Sequence, residues 1–133
     1  MPVTGLNHVT LAVSDLDRSI AFYRDILGAQ LRADWADGAY LELGSLWLCL
    51  ARGKVETSKD YSHVALSCPE GDFAELSSRL HGKAVIWQEN SSEGDSVYFL
   101  DPDGHKLELH LGSLNSRLAH YSAHPEKRVR IHD

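Results

Sequence analysis

The six residues His8-Val9-Thr10-Leu11-Ala12-Val13 return in altered form as His63-Val64-Ala65-Leu66-Ser67-Cys68. No other feature of the chain limits its fold as strongly. In each copy, aliphatic side chains alternate with small or polar ones, the period of a strand buried on one face. A helical pattern follows each copy. After the first, Ser14 or Asp15 is placed to cap a helix in which Leu16, Ile20, Tyr23 and Leu27 recur until Gly28. After the second, Pro69 and Glu70 open a helix carrying Phe73, Leu76 and Leu80, which is expected to end near Gly82. Each half then has three strand-like stretches: 30–35, 39–43 and 46–51 in the first, and 84–87, 96–100 and 105–111 in the second. Asp37-Gly38, Gly44-Ser45 and Asp101-Pro102-Asp103-Gly104 mark the turns.

A βαβββ unit of this size cannot comfortably bury its own sheet, so two units must share a surface. The expected class is α+β, with paired βαβββ modules at 1–52 and 61–112 and a polar linker at 53–60. Residues 113–133 form a C-terminal helix and tail. The pairing is expected either between the two units of one chain or, as an exchange in a homodimer, with their copies in a second chain. The 133 residues are 43% hydrophobic, as in a soluble domain, and the formal charge is -6. That charge disfavours nonspecific contact with nucleic acid or an anionic membrane, and an anionic small molecule would need a local positive pocket. Neither a membrane span nor a signal pattern is present, so the cytoplasm is expected. Cys49 and Cys68 lie in apolar strand-like stretches without paired spacing and read as reduced thiols.

In 105–111, Leu107, Leu109 and Leu111 alternate with Lys106, Glu108 and His110. Glu108 therefore lies opposite an aliphatic stripe, as do His8 and His63 in their strands, and all three are expected to face one concavity. Two imidazoles and a carboxylate suit a divalent transition metal. A single histidine on a strand is more often satisfied by one hydrogen bond, but two at the same repeat position favour the metal reading. Aligning 46–50 with 105–109 puts Cys49 where the second unit has Glu108. A neutral thiol lining the pocket is the commoner state there, which leaves three ligands and open coordination for a substrate. Residues 90–95 form a polar loop rich in oxygens, and a helix at 113–121 carries Arg117.

Four stretches carry a family resemblance: LNHVTLAVSDL, GAYLELGSLWLCL, DYSHVAL and NSSEGDSVYFLDPDGHKLELHLGSLNSRLA. Together they resemble the fosfomycin-resistance glutathione transferases of the FosA type, in the vicinal oxygen chelate superfamily, over residues 5–119. The resemblance implies that His8, His63 and Glu108 bind manganese between two chains. It implies that Ser92, Tyr98 and Arg117 hold the phosphonate of fosfomycin, and that the Thr10 hydroxyl lies beside the epoxide oxygen. The resemblance further implies that Asn90, Ser92, Gly94 and Ser96 belong to a loop binding an activating potassium ion, and that Trp35, Tyr40 and Trp47 line the glutathione approach, with Tyr40 placed to hydrogen-bond the thiolate. Read without the resemblance, Thr10, Tyr98 and Arg117 would be a strand residue, a core aromatic and a solvated charge.

The chain also departs from that family. Gln88 stands where relatives carry a lysine that contacts the phosphonate, a loss of about 1 to 3 kcal/mol in anion binding. The tail reads Pro125-Glu126-Lys127-Arg128-Val129 in place of Pro-Tyr-x-Gly-Met, and the linker is short. A related branch hydrolyses the epoxide with an added glutamate near the start of the third strand. Gly38 and Ala39 occupy that region here, and the nearest carboxylate, Glu42, lies further along. A glyoxalase would need a fourth ligand. A ring-cleaving dioxygenase and a metal-free drug-binding protein remain alternatives on spacing alone.

Overall fold

The computed structural model describes residues 2–132, so Met1 and Asp133, the outer ends of the expected first module and tail, lie outside the described residues. The first half runs β1 (His8–Val13), α1 (Leu16–Ala21), a π-helical turn (Phe22–Ile26), β2 (Gln30–Trp35), β3 (Gly38–Leu43) and β4 (Leu46–Arg52). The second runs β5 (Val64–Ser67), α2 (Glu70–Lys83), β6 (Val85–Gln88), β7 (Ser96–Leu100) and β8 (Lys106–His110). Helix α3 (Leu114–Ser122) and a 3₁₀ turn (Pro125–Lys127) follow. The sheets have the same topology, β1-β4-β3-β2 and β5-β8-β7-β6, each with one parallel pair made by the helical crossover.

Local chemistry accounts for most element ends. Of the two candidate caps, Asp15 is the one used, accepting from the Arg18 N–H at 3.0 Å. The first helix widens into a π turn in which Phe22, Tyr23 and Ile26 are all buried. Gly28 closes this helix with φ 77°, as expected of a left-handed terminator. Gly82 does not play that part. It lies inside α2, which ends at Lys83 because Ala84 turns directly into the extended conformation of β6. Strand β5 is shorter than its sequence pattern, and His63 precedes it.

The aliphatic faces of both sheets enter one core. Val13, Ile20, Tyr23, Leu41 and Leu50 from the first half pack in the same cluster as Leu80, Val97, Phe99, Leu107 and Leu109 from the second. The Phe22 and Phe99 rings lie 6.3 Å apart within it. Polar clamps cross the junction: His105 Nε2–H donates to the Ala12 carbonyl at 2.7 Å, Arg79 donates to the Ile26 carbonyl at 3.0 Å, and Arg18 pairs with Asp103. At the centre the Tyr23 hydroxyl donates to Asp101 at 2.8 Å, and both side chains are buried. With the helices and both aliphatic faces turned inward, the other face of each sheet is left to build a site. Among the described residues no helix is long and apolar enough to cross a membrane.

Burial first, and then the Asp101 carboxylate, push the Tyr23 phenol above the ordinary tyrosine value. The folded state therefore keeps this proton while the unfolded chain loses it above about pH 10, so stability declines as pH rises through that range. Tyr23→Phe should cost about 1–2 kcal/mol at neutral pH, because Asp101 loses a buried donor. The substitution should also flatten the alkaline decline. Chemical unfolding at pH 7 and above pH 10 measures both effects, and equal costs at the two pH values would contradict this account.

Candidate metal centre

The open face of the second sheet is organised by a row of paired residues. Ala65 of β5 lies opposite Glu108 of β8, Glu108 opposite Tyr98 of β7, and Tyr98 opposite Gln88 of β6. Glu108 is 6% exposed, and no lysine or arginine pairs with it among the described residues. Its carboxylate faces His63 Nε2 at 2.9 Å through Oε1 and accepts from the Ser96 hydroxyl at 2.7 Å through Oε2. His110 Nδ1 lies 2.6 Å from the same hydroxyl and 3.3 Å from Oε2. A carboxylate taken out of water with imidazoles as its only charge partners is poorly compensated unless a cation joins it. This donor set fits a divalent ion held by His63 and Glu108.

Tyr61, Trp87 and Tyr98 surround His63, their ring centroids 5.5, 6.0 and 6.2 Å from the imidazole. The β6–β7 pairing skips Trp87, freeing its indole to cross the face and donate to the Leu107 carbonyl at 3.1 Å. Lys106 sits over the Tyr61 and Trp87 rings.

The open face of the first sheet repeats the pattern. Thr10 lies opposite Cys49, and Cys49 opposite Tyr40, so Cys49 is the topological counterpart of Glu108 and Tyr40 that of Tyr98. Cys49 is a buried free thiol. Tyr40 meets Trp35 and Trp47 edge-on at 4.9 and 5.3 Å, and His8 lies 4.6 Å from Trp47. His8, Thr10, Trp35, Tyr40 and Trp47 are all exposed. An exposed aromatic strip of this kind marks a contact or ligand surface.

The expected meeting of His8, His63 and Glu108 in one concavity does not occur within a single chain. Among the described residues no three His, Cys, Asp or Glu side chains form a group that could hold a metal. The reason is the shared core: each half turns its aliphatic face to the other, so the two polar faces do not converge.

The loop after β6 ties itself together. Asn90 accepts from the Ser92 N–H and hydroxyl at 3.1 and 3.0 Å and donates to the Gly94 carbonyl at 2.8 Å. Gly94 has φ 83°, and a Cβ there would lie 2.6 Å from the Leu111 carbonyl. Ser92 reaches the Tyr98 hydroxyl at 3.5 Å. The Ser96 hydroxyl, expected to serve this loop, is committed to Glu108. On α3, whose N-terminus is closed by a Ser113–Ser116 capping box, Arg117 donates to the Glu93 carboxylate at 3.0 Å and to its carbonyl at 3.2 Å. The hydrogen bond that Arg117 donates to Glu93 is the main influence raising the Arg117 pKa, with burial acting against it.

The sequence reading passed over His110, Trp87 and Glu93. Alternation along β8 already put His110 on the face of Glu108, so that signal was present. Trp87 reaches the face through a bulge, which leaves no periodic trace.

A profile of the Glyoxalase/Bleomycin resistance protein/Dioxygenase superfamily matches residues 5–109. The chain is 53% identical over 121 residues to a glutathione transferase FosA of Serratia marcescens, an alignment covering 86% of each. It is 40% identical over 127 residues to a metallothiol transferase FosB of Staphylococcus haemolyticus, covering 90% of this chain and 91% of the relative. The fold is similar to a crystal structure of the fosfomycin resistance protein FosX from Listeria monocytogenes complexed with Mn(II) and sulfate. The TM-score is 0.80 and the identity 31%, over 90% of this chain and 98% of the other. FosX from Mesorhizobium loti is similar at a TM-score of 0.75 and 28% identity, over 87% and 98% of the two chains.

Glu108→Gln removes the buried charge while keeping the shape. Without metal, the variant should melt at or above the wild type. Added Mn²⁺ should raise the melting temperature of the wild type and leave the variant unmoved, because binding to the folded state alone carries the shift. An equal shift in both proteins would remove Glu108 from the ligand set.

Proposed function

The chain belongs to the glyoxalase/bleomycin resistance protein/dioxygenase superfamily, and we propose that it inactivates fosfomycin by adding glutathione to the epoxide. The observation that carries this reading is a buried carboxylate beside a histidine, with no fixed cation, in a fold shared with Fos proteins. The enzyme is a fosfomycin-modifying thiol transferase that uses a divalent metal, here read as manganese.

His63 and Glu108 are the ligands from one chain, and His8 of a second chain completes the set. The separation of the two half-sites supports an exchanged homodimer: each chain keeps its core and lends its exposed aromatic face to the other's metal face. A divalent metal held by these residues would supply Lewis-acid charge to the substrate's oxygen. Ser92, Tyr98 and Arg117 hold the phosphonate, fixing the carbon for attack. Arg117 stays charged throughout, given the direction of its pKa. The glutathione thiolate forms the new C–S bond, the C–O electron pair passes to oxygen, and Thr10 is placed to hydrogen-bond that oxygen before it takes a proton from solvent water. Tyr40, between Trp35 and Trp47, hydrogen-bonds the thiolate while the indoles exclude water.

Hydrolysis is the neighbouring reaction, and packing opposes it. A Cβ on Gly38 would lie 2.7 Å from the Trp35 ring and 2.8 Å from the Leu50 carbonyl, so no carboxylate fits there. Glu42, the next acid along the strand, is paired with Arg32. The Asn90–Ser96 loop is read as the potassium site, and the cytoplasm as the compartment, where both free thiols stay reduced.

Thiol consumption with fosfomycin should require Mn²⁺, rise with K⁺ and be abolished in His63→Ala; turnover indifferent to metal would sink the reading. Mixing inactive His8→Ala chains with inactive His63→Ala chains should restore roughly one quarter of wild-type sites by random pairing. No recovery from a mixture shown to exchange subunits would place the whole site in one chain. Gln88→Lys should lower the fosfomycin KM, and an unmoved KM would take Gln88 out of the anion's surroundings.

A further inference from the structure

Apart from the metal and potassium ions, the side chains of the phosphonate site bring no net charge of their own. Arg117 is its only arginine, and Glu93 already holds that guanidinium through two contacts, so the two charges cancel. Gln88, opposite Tyr98, adds none. In a chain of formal charge -6, an anion needs a local source of positive potential.

The 90–95 loop, α3 and the tail enclose a cavity of about 340 Å³ lined by Ser91, Ser92, Glu93, His120, Tyr121 and Lys127. Ser92 and Glu93 belong both to this cavity and to the phosphonate group of residues, so the two spaces adjoin. Lys127 is the one lysine or arginine in the lining. Among the described residues it forms no ion pair.

The position of Lys127 is built by the tail. His124 donates to the His120 carbonyl at 2.7 Å, and the two rings stack at 4.2 Å, fixing the tail to α3. Residues Pro125–Lys127 then make a 3₁₀ turn closed by Arg128 in the left-handed region, φ 56° and ψ 33°. A non-glycine residue is strained in that region and persists there where the surroundings over-determine it.

We infer that Lys127 supplies the net positive charge that the side chains, as distinct from the bound ions, bring to the anion site, acting with Arg117 on a phosphonate or phosphate group held at Ser92. Glu93 orients the guanidinium, and with Lys127 present the three charges sum to +1. The assignment rests on the fosfomycin reading and adds the group that sets anion affinity. A lysine acts there as a flexible point charge, so its effect falls on anion binding and its salt dependence rather than on the geometry of attack.

The test is steady-state kinetics of the Mn²⁺-loaded enzyme, comparing wild type with Lys127→Gln and Lys127→Arg. Lys127→Gln should raise the fosfomycin KM and the inhibition constant of inorganic phosphate about tenfold, and flatten the dependence of both on ionic strength. The kcat and the glutathione KM should stay within about twofold, and Lys127→Arg should retain wild-type values within the same margin. Fosfomycin KM and phosphate inhibition unmoved in Lys127→Gln would overturn the inference. Phosphate binding followed by intrinsic fluorescence separates the two layers. A wild type that turns over no fosfomycin sinks the underlying reading, and the assignment of Lys127 then stands or falls on whether Lys127→Gln weakens phosphate binding.

Discussion

Both sheets press their aliphatic faces into one core, and that packing decides where every polar group of the chain must go. Neither sheet has enough of its own chain to cover both faces, and the helices are spent on the shared side. Tyr23 and Asp101, buried together at the junction, lock the two halves in one orientation. The cost of that arrangement is two open faces, one lined by tryptophan and tyrosine and the other by histidine and glutamate.

Those faces are chemically complementary. The second carries a carboxylate too buried to be left with imidazoles alone, and the first carries an imidazole and an aromatic strip too exposed for an isolated domain. Their correspondence is positional as well: Thr10–Cys49–Tyr40 in one sheet matches Ala65–Glu108–Tyr98 in the other. A duplicated module has kept its tyrosine in both copies and its histidine at the same repeat position. The carboxylate occurs in only one copy, with a neutral-sized thiol in the other.

Much of this was legible in the chain. Alternation at 8–13, 63–68 and 106–110 reports directly which side chains share a face, because a strand has a period of two and no freedom to shift it. The repeat itself foretold the matching topologies. Which faces meet was not legible, since the same two stripes would serve modules paired side by side or back to back. Gly82 was misread because a helix running straight into a strand needs no left-handed terminator. Trp87 was missed because a bulge breaks the period that would have announced it. Glu93, a loop residue, offers no periodicity at all, and only the arginine on α3 gives it a place.

The choice of nucleophile can be traced to one glycine. Trp35 ends β2 and folds its indole back across Gly38, against which any side chain would collide. That contact builds the edge of the aromatic strip, bringing Trp35 to within 4.9 Å of Tyr40. The same contact leaves no room for a carboxylate at Gly38 itself. Glu42 is held by Arg32 and offers no substitute. A water molecule entering this face therefore meets no carboxylate at Gly38, whereas a thiol meets a tyrosine hydroxyl and two indoles. A thiol also ionises near neutral pH far more readily than water does, so it needs orientation and shielding more than deprotonation. Packing around Gly38 thus selects for a nucleophile that arrives already activated.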